Sequence, residues 1–127
     1  MISRRLKKKI LVVDDEEAVG LGLSEMLKDE GFEAAYAVSG ADALRELKRK
    51  GYDMVFLDMV MPEMDGLRTF REIRGLDQKI PVVLFTGSYM DAEGKIAEGV
   101  GEGMIDEFIR KPFFADDILR SARKFAA

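Results

Sequence analysis

A chain of 127 residues that is 47% hydrophobic makes one ordinary domain around one core and leaves no room for a second. It contains neither Cys nor His, which excludes disulfides, thiolate or imidazole metal sites and imidazole acid–base chemistry. Charged residues of both signs make up 35% of the chain, which argues against disorder, and the formal charge of −4 conceals a basic start in which Arg4, Arg5, Lys7, Lys8 and Lys9 precede any acid.

Residues 1–8 therefore read as a solvated basic leader and residues 9–127 as the folded domain. The leader is not followed by an apolar stretch of signal or membrane-span length, so the expected setting is the cytoplasm, with neither membrane insertion nor direct nucleic-acid binding.

The first element is a strand, Ile10 to Val13, a continuous apolar run of the kind buried on both faces of a parallel sheet. A helix follows, with Val19, Leu23, Met26 and Leu27 on one stripe and Gly31 placed to cap its end. Ala34 to Val38 is the least apolar strand and reads as a sheet edge. Ala43, Leu44 and Leu47 mark the second helix, with Gly51 as its cap; Met54 to Leu57 is the third strand; and Leu67, Phe70 and Ile73 mark the third helix. Val82 to Phe85 and Ile105 to Ile109 complete the strands. In the last helix Ile118, Leu119, Ala122 and Phe125 form the apolar stripe, and Arg120, Arg123 and Lys124 favour the C-terminal end of its dipole.

Regular alternation of strand and helix implies a doubly wound parallel sheet with right-handed crossovers, whose ligands bind at the carboxyl ends of the strands. Those ends carry the chemistry. Asp14 and Asp15 follow the first strand, Asp58 the third, Thr86 the fourth, and Lys111 with Pro112 the fifth. If the first strand lies beside the third, three carboxylates converge, and crowded like charges call for a cation. Donors that are all oxygen select a hard ion, and a site that also holds phosphate suits Mg²⁺. Taken one at a time, each Asp is equally well read as a helix or turn cap.

The ordered segments ILVVDDEE, MVFLDMVMPEMDGL, VVLFTG and FIRKPF resemble the motif set of response-regulator receiver domains of the chemotaxis-regulator kind, and the resemblance runs from Lys9 to Phe125. It implies a flavodoxin-like α/β fold with a five-stranded parallel sheet of order 2-1-3-4-5 and helices on both faces. It also implies a signalling domain rather than a conventional enzyme, in which Asp58 takes a phosphoryl group from a sensor histidine kinase or histidine phosphotransfer protein. By the same resemblance Asp15 and Asp58 coordinate Mg²⁺ directly, Asp14 acts through water, and the Val60 backbone carbonyl completes the protein ligands. Lys111 pairs with a phosphoryl oxygen, Thr86 hydrogen-bonds another, Phe108 turns inward with Thr86, and the Lys111–Pro112 bond is cis.

The sequence departs from the family in one segment. Thr86 and Lys111 stand 25 residues apart, a longer interval than usual, and Gly87, Gly94, Gly99, Gly101 and Gly103 fall inside it. Each interior Gly costs about 1 kcal/mol relative to Ala in a helix, so Asp91 to Gly103 is expected to be the least stable part of the fold. Val60 and Ser88, two residues beyond Asp58 and Thr86, offer no acid or amide to position a hydrolytic water, which predicts slow autodephosphorylation.

Other classes fare worse. A haloacid-dehalogenase-type phosphatase needs an acid where Val60 stands, and a flavin module would meet Asp14, Asp15, Glu16 and Glu17 where it must cradle phosphate. The remaining alternative is a pseudo-receiver, an interaction module that never takes phosphate.

Overall fold

Residues 7–58, 66–86, 107–110 and 115–126 are described by a computed structural model, with only the backbone described at Gly66, Leu67, Thr86, Glu107, Phe108 and Arg110. In chain order the elements are β1 (Lys9–Val13), α1 (Glu17–Asp29), β2 (Glu33–Ala37), α2 (Gly40–Arg49), β3 (Met54–Asp58), α3 (Gly66–Leu76), β4 (Val82–Thr86), β5 (Glu107–Arg110) and α4 (Ala115–Phe125). All strand pairings are parallel, and the sheet order is β2-β1-β3-β4-β5. The weakly apolar second strand does form an edge. The expected start of the last strand, Ile105, and the glycine-bearing segment 91–103 lie outside the described residues.

Strand alternation splits the core into two layers. Leu11, Val13, Val55, Leu57, Val82 and Leu84 pack with Ala43 of α2 and Phe70 and Ile73 of α3. Their chain neighbours Ile10, Val12, Met54, Phe56, Val83 and Phe85 pack on the other face with Leu23 and Leu27 of α1 and Ile118 and Ala122 of α4. Both faces are thus covered by helices, which is why β1, β3 and β4 could be continuous apolar runs rather than alternating ones. Phe56 and Phe85 stack at a centroid distance of 5.4 Å and an interplanar angle of 14°, tying β3 to β4 on the second face.

Helix ends show where local chemistry decides. α2 starts at Ser39, whose side-chain oxygen accepts a hydrogen bond from the Asp42 amide at 3.0 Å, the usual N-cap arrangement. α1 ends in a Schellman turn: the Phe32 amide donates to the Leu27 carbonyl and the Gly31 amide to the Lys28 carbonyl, both at 3.1 Å. Gly31 there has φ +98°, a conformation that costs a side chain dearly.

The expected cap at Gly51 is corrected. Among the described residues Gly31 is the glycine with positive φ, and α2 instead closes on Lys50 in extended conformation, φ −144° and ψ 145°. The chain leaves α2 straight toward β3, so a left-handed residue is not needed there.

Gly31→Ala is accordingly expected to lower unfolding free energy by about 1 kcal/mol, while Gly51→Ala, with open space around the added carbon, stays within about 0.5 kcal/mol of the parent. Urea denaturation of the two variants side by side checks this, and equal losses would contradict it.

Candidate functional site

The register of β1 builds the site. Val13 lies opposite Ala37 of β2 on one side and Leu57 of β3 on the other, so the residues that follow, Asp14 and Asp58, emerge side by side at the carboxyl edge. α1 leaves β1 toward one face of the sheet and α2 leaves β2 toward the other. A crevice opens where successive crossovers diverge in this way, and that is where doubly wound folds bind ligands.

Asp14 is fully buried and Asp58 is 5% exposed, whereas Asp15 faces solvent. One carboxylate oxygen from each lies within 4.8 Å of the others. At that separation two buried negative charges repel by on the order of 3 kcal/mol at an effective dielectric of about 20. The Asp14 amide donates to the Ala37 carbonyl at 3.1 Å, and the Asp14 carboxylate accepts from the Glu16 amide at 2.9 Å. This turn fixes the carboxylate before α1 begins. The residue in the N-cap position of α1 is Glu16, without a side-chain cap, so Asp14 and Asp15 are not the cap residues that an isolated reading allows.

The donor set fits a hard divalent cation. It consists of oxygen alone, two of its three carboxylates are buried with little water to screen them, and the cluster is open on the Asp15 side.

The other expected site residues are placed unevenly. The backbone of Thr86 pairs with Arg110 and that of Phe108 with Leu84, so both belong to this half of the sheet, but their side chains are not described. Val60, Ser88, Lys111 and Pro112 lie outside the described residues.

Two residues near the site went unnoticed in the sequence. Tyr36, next to the last residue of β2, donates its hydroxyl proton to Glu17 Oε2 at 3.0 Å, and this bond to a carboxylate holds the phenol above its ordinary range. Gly20 of α1 sits directly over the Tyr36 ring, where a Cβ would come within 2.9 Å of the Tyr36 Cβ. A glycine in the first turn of an otherwise amphipathic helix was the available signal for that close approach.

The family model for the response regulator receiver domain matches residues 10–123. The chain belongs to this family. Among curated relatives, the chemotaxis protein CheY of Bacillus subtilis is 34% identical over 117 residues, covering 91% of this chain and 95% of that protein. The transcriptional regulatory protein ZraR of Salmonella typhimurium is 36% identical over 123 residues, and there the match covers 97% of this chain but 27% of the relative. The chain thus spans nearly all of one relative and about a quarter of the other. Among solved structures, the receiver domain of NtrX from Brucella abortus superposes with a TM-score of 0.81 at 32% identity, covering 91% of this chain and 95% of that one. Among the described residues, no helix is long and apolar enough to cross a membrane.

For a receiver domain with this cluster, Mg²⁺ is expected to raise the melting temperature, because a ligand held by the native state alone stabilises it by mass action. Asp15→Asn should remove most of that response. Thermal melts of both proteins across a Mg²⁺ series test it, and an undiminished response in the variant would place the ion elsewhere.

Proposed function

We propose that this receiver domain accepts a phosphoryl group on Asp58 and changes its signalling surface in consequence. The observation that carries the proposal is the convergence of the Asp14, Asp15 and Asp58 carboxylate oxygens within 4.8 Å at the carboxyl ends of β1 and β3. The donor is the phosphohistidine of a sensor kinase or phosphotransfer protein, and the reaction takes place in the cytoplasm. Residues 1–8 serve as a solvated leader to the domain that starts at residue 9.

In the transfer a carboxylate oxygen of Asp58 attacks phosphorus as the bond to the donor histidine nitrogen breaks; the imidazole leaves with that electron pair and an acyl phosphate forms. Asp14 through water, Asp15, Asp58 and the Val60 carbonyl are the groups that would hold Mg²⁺, which when bound supplies positive charge against the phosphoryl oxygens. The burial of strand β3 along its whole length supports a fixed position for Asp58 at its end. Lys111 forms an ion pair with one phosphoryl oxygen and Thr86 donates its hydroxyl proton to another. The shift of Thr86 draws Phe108 inward, with Pro112, cis after Lys111, directing the lysine to the rim. Most of the catalytic effect is positioning and charge compensation. With Val60 and Ser88 in the positions that would orient an attacking water, the acyl phosphate hydrolyses slowly.

Incubation with Mg²⁺ and a small acyl-phosphate donor should add one phosphoryl mass to the intact protein, and Asp58→Ala should add none. A phosphorylated Asp58→Ala variant would refute the assignment, and an unmodified parent would favour a phosphorylation-independent interaction module. Lys111→Ala should keep the Mg²⁺ response of the melting temperature while its phosphorylated fraction falls by about tenfold or more, the cost of losing one charge-assisted contact. Parallel loss of both properties would mark the lysine as structural.

A further inference from the structure

We infer that Tyr36 is a positioning residue for the acidic loop, setting its affinity for a divalent cation through Glu17; the inference rests on the cation-binding reading of Asp14, Asp15 and Asp58.

The loop from Asp14 to Glu17 is tied to β2 at both ends, and by consecutive β2 residues. At its start the Asp14 amide donates to the Ala37 carbonyl at 3.1 Å. At its end Glu17 Oε2 accepts from the Tyr36 hydroxyl at 3.0 Å. Between the two ties stands Asp15, the exposed member of the carboxylate trio, which is not anchored by burial as Asp14 and Asp58 are. Its position therefore depends on the segment that carries it.

Tyr36 grips that segment with its ring as well as its hydroxyl. Gly20 follows Glu17 by three residues and so lies on the same face of α1, and there the Tyr36 ring approaches so closely that a Cβ at position 20 would meet its Cβ, Cδ2 and Cγ at 2.9, 3.0 and 3.1 Å. Ring and hydroxyl together hold the first turn of α1 against the edge strand. A cation site gains affinity when its ligands need not be ordered at the moment of binding, and groups that orient ligands contribute to affinity without touching the ion. The Tyr36 hydroxyl also draws the Glu17 carboxylate into a defined bond, which fixes where this additional negative charge lies relative to the trio.

The test is a Mg²⁺ titration of the full chain, followed by backbone amide NMR shifts and by melting temperature, on the parent, Y36F, E17A, E17Q and the double variant Y36F/E17A. Y36F leaves every charge in place and should weaken Mg²⁺ binding by about three- to tenfold, the loss of one positioning hydrogen bond. E17A should weaken it at least as much, and the double variant no more than E17A alone, since the two groups act through one bond. E17Q keeps an acceptor for the hydroxyl and should lie closer to the parent than E17A does. A merely structural Tyr36 would lower the melting temperature without Mg²⁺ yet leave the dissociation constant unchanged, and that result overturns the inference. Additive losses in the double variant overturn it as well. If the parent fails to bind Mg²⁺, the cation reading itself falls and takes the inference with it, whereas a parent that binds and a Y36F that binds equally well reject the inference alone.

Discussion

Mutual repulsion between buried carboxylates is the constraint around which this domain is arranged. Asp14 and Asp58 stand at the ends of neighbouring strands with almost no solvent to screen them, and Asp15 adds a third charge within 4.8 Å. Such an arrangement persists only if something else fixes the strands. Here that is the pairing of β1 with β3, in which Ile10, Leu11, Val12 and Val13 lie opposite Met54, Val55, Phe56 and Leu57, all without exposed surface. A slip of one residue would send every one of these side chains to the opposite layer of the core, against a different pair of helices, and the close packing would be lost. The register is therefore set by packing and not by the carboxylates. The core places the charges, and the charges then define the site.

The same packing shapes the space around them. Because α1 and α2 pass to opposite faces of the sheet, the carboxyl end of β1 is left uncovered between them, and Asp15 can face solvent while its two neighbours are enclosed. β2 closes one flank of this opening. As an edge strand it has a free side, and its last two residues, Tyr36 and Ala37, are the ones that reach back to the loop after β1. An edge strand thus ties down the acidic loop that its neighbour carries.

How much of this was legible in the sequence depended on how local the cause was. The inner strands announced themselves because burial on both faces leaves no reason for a polar residue within Ile10 to Val13 or Val82 to Phe85. The acidic trio was legible too, since Asp14 and Asp58 each follow such a run directly and Asp15 comes next after Asp14. Gly31 and Gly51 presented the same signal after a helix and met different fates. Phe32, immediately after Gly31, is buried in the same core cluster as Leu27, the contact that completes a Schellman turn. Lys50, in contrast, already runs extended into the approach to β3, so Gly51 needs no special conformation. The bond between Tyr36 and Glu17 could not be read at all, because it spans 19 residues and depends on how closely α1 settles on β2. Only Gly20 hinted at that closeness.

The two ends of the sheet use the same residue type in opposite ways. At the amino end the Asp53 carboxylate accepts the Lys9 amide at 2.8 Å while the Asp53 amide donates to the Lys9 carbonyl at 2.7 Å, and Lys7, Lys8 and Lys9 line the adjoining cleft. This Asp shares its cleft with three lysines and its hydrogen bonds join two strands, so it serves to fasten the fold. At the carboxyl end three Asp side chains converge on one another instead, and the described basic residues of the amino-end cleft lie at the far end of the same strands. Stability alone would favour the first arrangement everywhere, because every carboxylate brought near another raises the free energy of the folded state. The second arrangement stands at the strand ends, where a doubly wound sheet opens its crevice and a ligand can reach it. A cation bound there would relieve repulsion among three carboxylates that the core has already fixed in place, and would gain binding energy from that relief.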